Sequence, residues 1–120
     1  MRKTILIIDD SSIVRDLIRG GLEEVGYGTI EAFDGLHAIK RMAGKKIDLI
    51  ILDLYMPVMD GFAFMELLNM RPERPPVIVI SSTHEEGLNE KLRDLKIRAF
   101  ANKPFVIEKL VKAVRKILEE

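Results

Sequence analysis

Short, almost unbroken runs of aliphatic residues constrain this chain more than any other feature. They are Thr4 to Ile8 (TILII), Leu49 to Leu52 (LIIL) and Val77 to Ile80 (VIVI), with a looser run from Ile97 to Ala101 (IRAFA). A strand with one face in water alternates apolar and polar residues. A strand without alternation is covered on both faces, as in a parallel sheet flanked by helices. A weaker strand, Thr29 to Phe33 (TIEAF), falls between the first two runs.

The intervals carry helical spacing instead. Ile13, Val14, Leu17, Ile18, Leu22 and Val25 mark one apolar face from Ser12 to Val25, interrupted by Gly20 and Gly21, a pair that close packing on the sheet would explain. Further helices are marked by Leu36, Ile39 and Met42, by Phe62, Met65 and Leu68, and by Leu88, Leu92 and Leu95. The last is marked by Ile107, Leu110, Val111, Val114, Ile117 and Leu118, with Lys109, Lys112, Arg115 and Lys116 on its solvated side. Strand and helix thus alternate five times. The pattern predicts an α/β fold, a doubly wound five-stranded parallel sheet with five helices. Its 120 residues suffice for one compact domain with a substantial core. The methionines at 42, 56, 59, 65 and 70 read as core and rim filler, and His37 and His84 as exposed.

Ligands of open α/β sheets bind beyond the carboxyl ends of the strands, where strand order reverses. The residues just past each strand therefore matter most. Asp9 and Asp10 come after the first, Asp53 after the third, Ser81 and Ser82 after the fourth, and Lys103 and Pro104 after the fifth. Taken singly, each has an ordinary explanation: Asp and Ser cap helices, Asp60-Gly61 is a helix start, and Lys-Pro is a common surface pair. The conjunction of strand-end polar residues carries the weight. Three carboxylates within about 4–6 Å raise one another's pKa, and a divalent cation with the Lys103 ammonium offsets them. Hard oxygen ligands suit Mg²⁺. A fitting guest is a phosphoryl group held by Mg²⁺, Lys103 and the Ser81 hydroxyl, with a carboxylate as acceptor. Asp53 ends a buried strand and is the best-fixed acceptor, whereas Asp9 and Asp10 sit on a turn and suit the metal.

Composition closes off other readings. The 19 basic residues are matched by 19 acidic ones, which argues against bulk attraction to nucleic acid or an anionic membrane. No cysteine is present, so thiolate ligands and thiol nucleophiles are excluded. The N-terminus lacks a signal-peptide pattern and no apolar run approaches spanning length, so a cytoplasmic address is expected.

The stretches IIDDSS, DLIILDLYMPVMDG, PVIVISS and FANKPF together resemble the receiver domains of two-component response regulators, over essentially the whole of residues 1–120. The resemblance implies the flavodoxin-like strand order 2-1-3-4-5. It implies that Asp53 accepts a phosphoryl group from a sensor histidine kinase or phosphotransfer protein. Mg²⁺ would be held by Asp10, Asp53 and the Tyr55 backbone carbonyl, with Asp9 acting through a metal-bound water. Ser81 would be the switch hydroxyl, Lys103 the phosphoryl partner, Phe100 the switch aromatic, and the Lys103–Pro104 peptide cis. The face of the fourth helix, fifth strand and fifth helix would change shape for a downstream protein, with room for a phosphorylation-dependent homodimer.

Around the acceptor, Tyr55, Met56, Ser82 and Thr83 flank the site, and the Tyr55 and Thr83 side chains are expected to overhang the phosphoryl group. Two rivals differ in class. A haloacid-dehalogenase-type phosphohydrolase needs an Asp two residues after its nucleophile, where Tyr55 stands here. A pseudo-receiver interaction module would dispense with phosphorylation, yet every site residue is present. The reading is a signalling switch and not a turnover enzyme, either free-standing or cut from a longer regulator.

Overall fold

The computed structural model describes residues 2–82 and 86–120. Thr83, expected to overhang the site, and His84, expected to be exposed, lie outside the described residues. The order is β1 (Thr4–Ile8), α1 (Ser12–Glu24), β2 (Gly28–Ala32), α2 (Gly35–Met42), β3 (Leu49–Asp53), α3 (Gly61–Asn69), β4 (Val77–Ser81), α4 (Leu88–Asp94), β5 (Ala99–Asn102) and α5 (Ile107–Leu118). All five strands are parallel, in the order β2-β1-β3-β4-β5.

The unbroken strands have the burial their composition demands. Every residue of β3 and β4 is buried, and Ile5 to Ile8 of β1 are fully enclosed. Each such Ile, Leu or Val contributes roughly 1.5–3 kcal/mol of transfer free energy. Alternate residues of each strand feed two cores. On one side Leu6, Ile8, Ile50, Leu52, Val77 and Val79 meet α2, α3 and α4. On the other, Ile5, Ile7, Leu49, Ile51, Ile78 and Ile80 meet α1 and α5.

Several details depart from the sequence reading. Only Ile18 and Leu22 of α1 are buried, with Val14 half-buried, whereas Ile13 is 80% exposed and Leu17 50%. The buried stripe follows an i, i+4 line, and Ile13 and Leu17 lie one position off it. Gly21 faces α5 and not the sheet: a Cβ there would come within 2.6 Å of Ile107 Cγ1, while Gly20 has nothing within 4 Å. His37 is half-buried. Its ring stacks on Phe33 at 3.8 Å, and its Nδ1 accepts the Phe33 N–H at 3.1 Å. Met70 is 79% exposed and fills no core.

Candidate functional site

β1 and β3 are neighbours, but the chain leaves β1 toward β2 on one side and returns to β3 on the other. The crevice above their carboxyl ends is thus the switch point of this sheet. Asp9 follows β1 directly and Asp53 is the last residue of β3. Ser81 is the last residue of β4, and Lys103 follows β5, its N–H donating to the Ser81 carbonyl at 2.9 Å.

The turn after β1 is held from several directions. The Asp9 N–H donates to the Ala32 carbonyl at 3.1 Å, and Asp9 Oδ1 accepts the Ser11 N–H at 2.9 Å. Ser11 then caps α1, accepting from the Val14 N–H at 3.3 Å. Arg15 Nη1 donates to the Asp9 carbonyl at 2.6 Å, while its Nε donates to Glu31 on β2 at 3.1 Å. Sequence reasoning missed this Arg15–Glu31 brace, because nothing marks a helix-surface arginine as reaching the acidic turn.

Close approach governs the loop after β3. The Gly61 N–H donates to the Leu54 carbonyl at 2.8 Å, and a Cβ on Gly61 would stand 2.5 Å from the Asp53 carbonyl oxygen. Only glycine fits there, so the start of α3 sits directly against the end of β3. Asp60 caps α3, accepting from the Ala63 N–H at 2.9 Å.

The four charged groups meet. One oxygen from each of Asp9, Asp10 and Asp53 lies within 4.8 Å of the others. Lys103 Nζ donates to Asp9 Oδ2 at 2.7 Å and stands 3.4 Å from Asp53 Oδ2. Asp9 and Asp53 are buried and Asp10 is exposed, so the cluster has one wet side. Burial pushes the Asp53 carboxyl from 3.8 up to about 6, and the Asp9 charge adds to it. The Lys103 charge and hydrogen bonds from the Tyr55 N–H and Lys103 oppose the rise. Burial acts to lower the Lys103 ammonium, but the Asp9 hydrogen bond and the two carboxylate charges outweigh it, and its pKa stands above the ordinary value.

The donor set fits a hard divalent ion. Three carboxylates face one ammonium, all donors are oxygen, and the exposed side admits water ligands. Around this centre Ser81 is fully buried, Met56 half-buried and Ser82 exposed. Tyr55 is 40% exposed, with its ring edge-on to Phe62 at 5.8 Å. Phe100 is half-buried against the core under α2, α3 and α4. The Lys103–Pro104 peptide is cis.

The sequence profile of the response regulator receiver domain matches residues 5–115. The chain belongs to the response regulator receiver family. This receiver is 33% identical over 114 residues to response regulator RR06 of Streptococcus pneumoniae, covering 95% of this chain and 52% of that protein. It is 30% identical to sporulation initiation phosphotransferase F of Bacillus subtilis, covering 98% of this chain and 95% of that one. Against the alkaline phosphatase synthesis regulator PhoP of the same species it is 32% identical, covering 98% and 49%. The receiver thus spans about half the length of two of these relatives and nearly all of the third. Among solved structures, chemotaxis protein CheY4 of Vibrio cholerae superposes with a TM-score of 0.90 at 26% identity, covering 98% and 99% of the chains. The receiver domain of Francisella response regulator 1452 gives 0.89 at 28%, covering 98% of each. The five-stranded parallel order 2-1-3-4-5 expected from the resemblance is the order found. No helix among the described residues is long and apolar enough to cross a membrane.

Proposed function

We propose that this receiver is a phosphorylation-dependent switch in which Asp53 takes a phosphoryl group from the phosphohistidine of a histidine kinase or phosphotransfer protein. The observation that carries this reading is Lys103. Its ammonium reaches Asp9 at 2.7 Å and Asp53 at 3.4 Å from a strand two places away from β3. A buried carboxylate with an adjacent cation and open access is suited to accept and hold a phosphoryl group.

An oxygen of ionised Asp53 attacks phosphorus as the P–N bond to the donor imidazole breaks. The bonding pair returns to the imidazole nitrogen, and an acyl phosphate remains on Asp53. Asp10, Asp53 and the Tyr55 carbonyl would hold Mg²⁺, with Asp9 through a water. Bound there, the ion supplies positive charge against the phosphoryl oxygens. Lys103 shifts its ammonium from the Asp53 carboxylate to a phosphoryl oxygen, and the Ser81 hydroxyl donates to another.

That pull on Ser81, the last residue of β4, vacates space into which Phe100 of neighbouring β5 turns. The α4–β5–α5 face is thereby remodelled for a downstream protein. The receiver acts only on its own acceptor and later loses the group to water, so it is a switch and not a turnover enzyme. Incubation with acetyl phosphate and Mg²⁺, followed by intact-mass measurement, tests this. Wild type gains one phosphoryl mass and Asp53→Asn gains none. A wild type that stays unmodified would leave a pseudo-receiver, and repeated release of phosphate from phosphomonoesters would mark a hydrolase.

A further inference from the structure

The helix layer over one face of the sheet carries a second, differently built depression. α2 and α3 leave a groove of about 400 Å³ between them, lined by Ile39, Met42, Phe64, Leu67 and Leu68, with Arg71 at its end. Met42 and Arg71 also line an adjoining cleft of about 480 Å³ that includes Lys45, Lys46 and Arg74. The adjoining cleft is formed by residues that precede β3 and β4, which places it at the amino ends of those strands. An apolar trough thus runs into a basic one.

The charge surplus is local. Residues 40–48 and 71–76 hold Lys40, Arg41, Lys45, Lys46, Arg71 and Arg74 against only Asp48 and Glu73, in a chain that is neutral overall. Asp48 is engaged, accepting the Thr4 N–H at 2.8 Å. Lys45 and Arg71 are exposed, and neither makes a side-chain ion pair among the described residues. Ile39 and Leu67 are 39% and 44% exposed on the groove walls.

We propose that this groove binds a short acidic amphipathic helix of a partner protein, its apolar side chains seated on Ile39 and Leu67 and its carboxylates on Lys45 and Arg71. The walls are helices whose backbone groups are bonded internally, so no strand edge is on offer. Contacts come from side chains, and a helix lays these along one face into such an apolar groove. A bilayer fits less well, because it needs a protruding apolar face flanked by basic residues, whereas this one is recessed with its charge at one end. A second copy fits less well too. Groove against groove would set like charges together, and one exposed apolar pair beside an acid, Ile13 and Leu17 with Asp16 on α1, lies across the sheet from the groove. That contact would be head-to-tail and open-ended. The groove shares no lining residue with the Asp9, Asp10 and Asp53 cluster, and its occupancy does not depend on the phosphorylation reading.

A displayed library of randomised peptides, selected on the whole chain and counter-selected on Leu67→Asp, tests the proposal. Enriched peptides should carry apolar residues at i, i+3 or i+4 and i+7, and net negative charge. Their affinity, read by fluorescence anisotropy, should fall roughly tenfold or more with Leu67→Asp and with Lys45→Glu/Arg71→Glu. It should recover on the charge-reversed protein when the peptide acids become Lys, and should not change in Asp53→Asn. Ile39→Asp replaces Leu67→Asp if the latter melts early. No enrichment over the counter-selected variant, or enriched peptides that are basic or aperiodic, would overturn the proposal. So would co-sedimentation with phosphatidylglycerol vesicles abolished by Arg71→Glu, which would indicate a membrane surface. Self-association in sedimentation velocity abolished by Leu67→Asp would overturn it in favour of a second copy.

Discussion

Asp53→Asn should make the metal-free receiver more stable at neutral pH, although it removes the proposed acceptor. Asp53 is buried beside Asp9, and its carboxyl is raised from 3.8 to about 6. Two pKa units at about 1.4 kcal/mol each give an upper bound of roughly 3 kcal/mol for the cost of the ionised form in the fold. Relaxation around the cluster and its wet side reduce this to about 1–3 kcal/mol. Because the folded-state pKa is raised, the group's favourable contribution is complete below 3.8 and is lost as pH rises through about 6. The amide has nearly the same shape and no charge, so it escapes that loss. Urea denaturation in EDTA should show variant and wild type nearly equal at pH 4. By pH 7.5 the variant should lead by about 1–3 kcal/mol, or about 3–15 °C in melting temperature. Millimolar Mg²⁺ should close the gap by stabilising only wild type. A variant equal to or weaker than wild type at pH 7.5, or a gap independent of pH, would refute the electrostatic argument.

Further outcomes rest on the same geometry. Gly61→Ala places a Cβ 2.5 Å from the Asp53 carbonyl oxygen and should cost about 1–3 kcal/mol in denaturant melts. Gly20→Ala, on an open helix surface, should stabilise by about 0.5–1 kcal/mol in the same assay. Tyr55→Ala should speed loss of the phosphoryl group roughly tenfold by admitting water, measured as decay of the phosphorylated mass; an unchanged rate removes the shielding role. Mg²⁺ affinity, followed calorimetrically, should fall by about tenfold per pH unit below about 6, as one proton competes at Asp53.

The strands were legible because burial on both faces writes itself as unbroken aliphatic residues, and the polar strand ends stood out against them. Edges were harder. The aliphatic run starts the fifth strand at Ile97, whereas β5 begins at Ala99, after Lys96 in the left-handed region at φ 60°. Ile97 packs instead into the core beneath α2, α3 and α4. Contacts between distant segments were illegible: Gly21 answers to Ile107, and Arg15 to Glu31 and the Asp9 carbonyl. No local pattern encodes such pairs. Val58 is another case, a β-branched residue at φ 67° that propensity would never place there. The convergence of Asp9, Asp10, Asp53 and Lys103 was readable because topology alone brings strand ends together, while Lys103's closer approach to Asp9 than to Asp53 depends on side-chain packing that no local pattern encodes.

Borohydride trapping of the acetyl-phosphate-treated receiver, followed by peptide sequencing in the mass spectrometer, addresses the acceptor most directly. Hydride reduces an acyl phosphate to the alcohol, so homoserine should replace aspartate at position 53 and nowhere else. Homoserine at Asp9, Asp10 or Asp60, or an unreduced position 53 in a protein that had gained phosphoryl mass, would contradict the account.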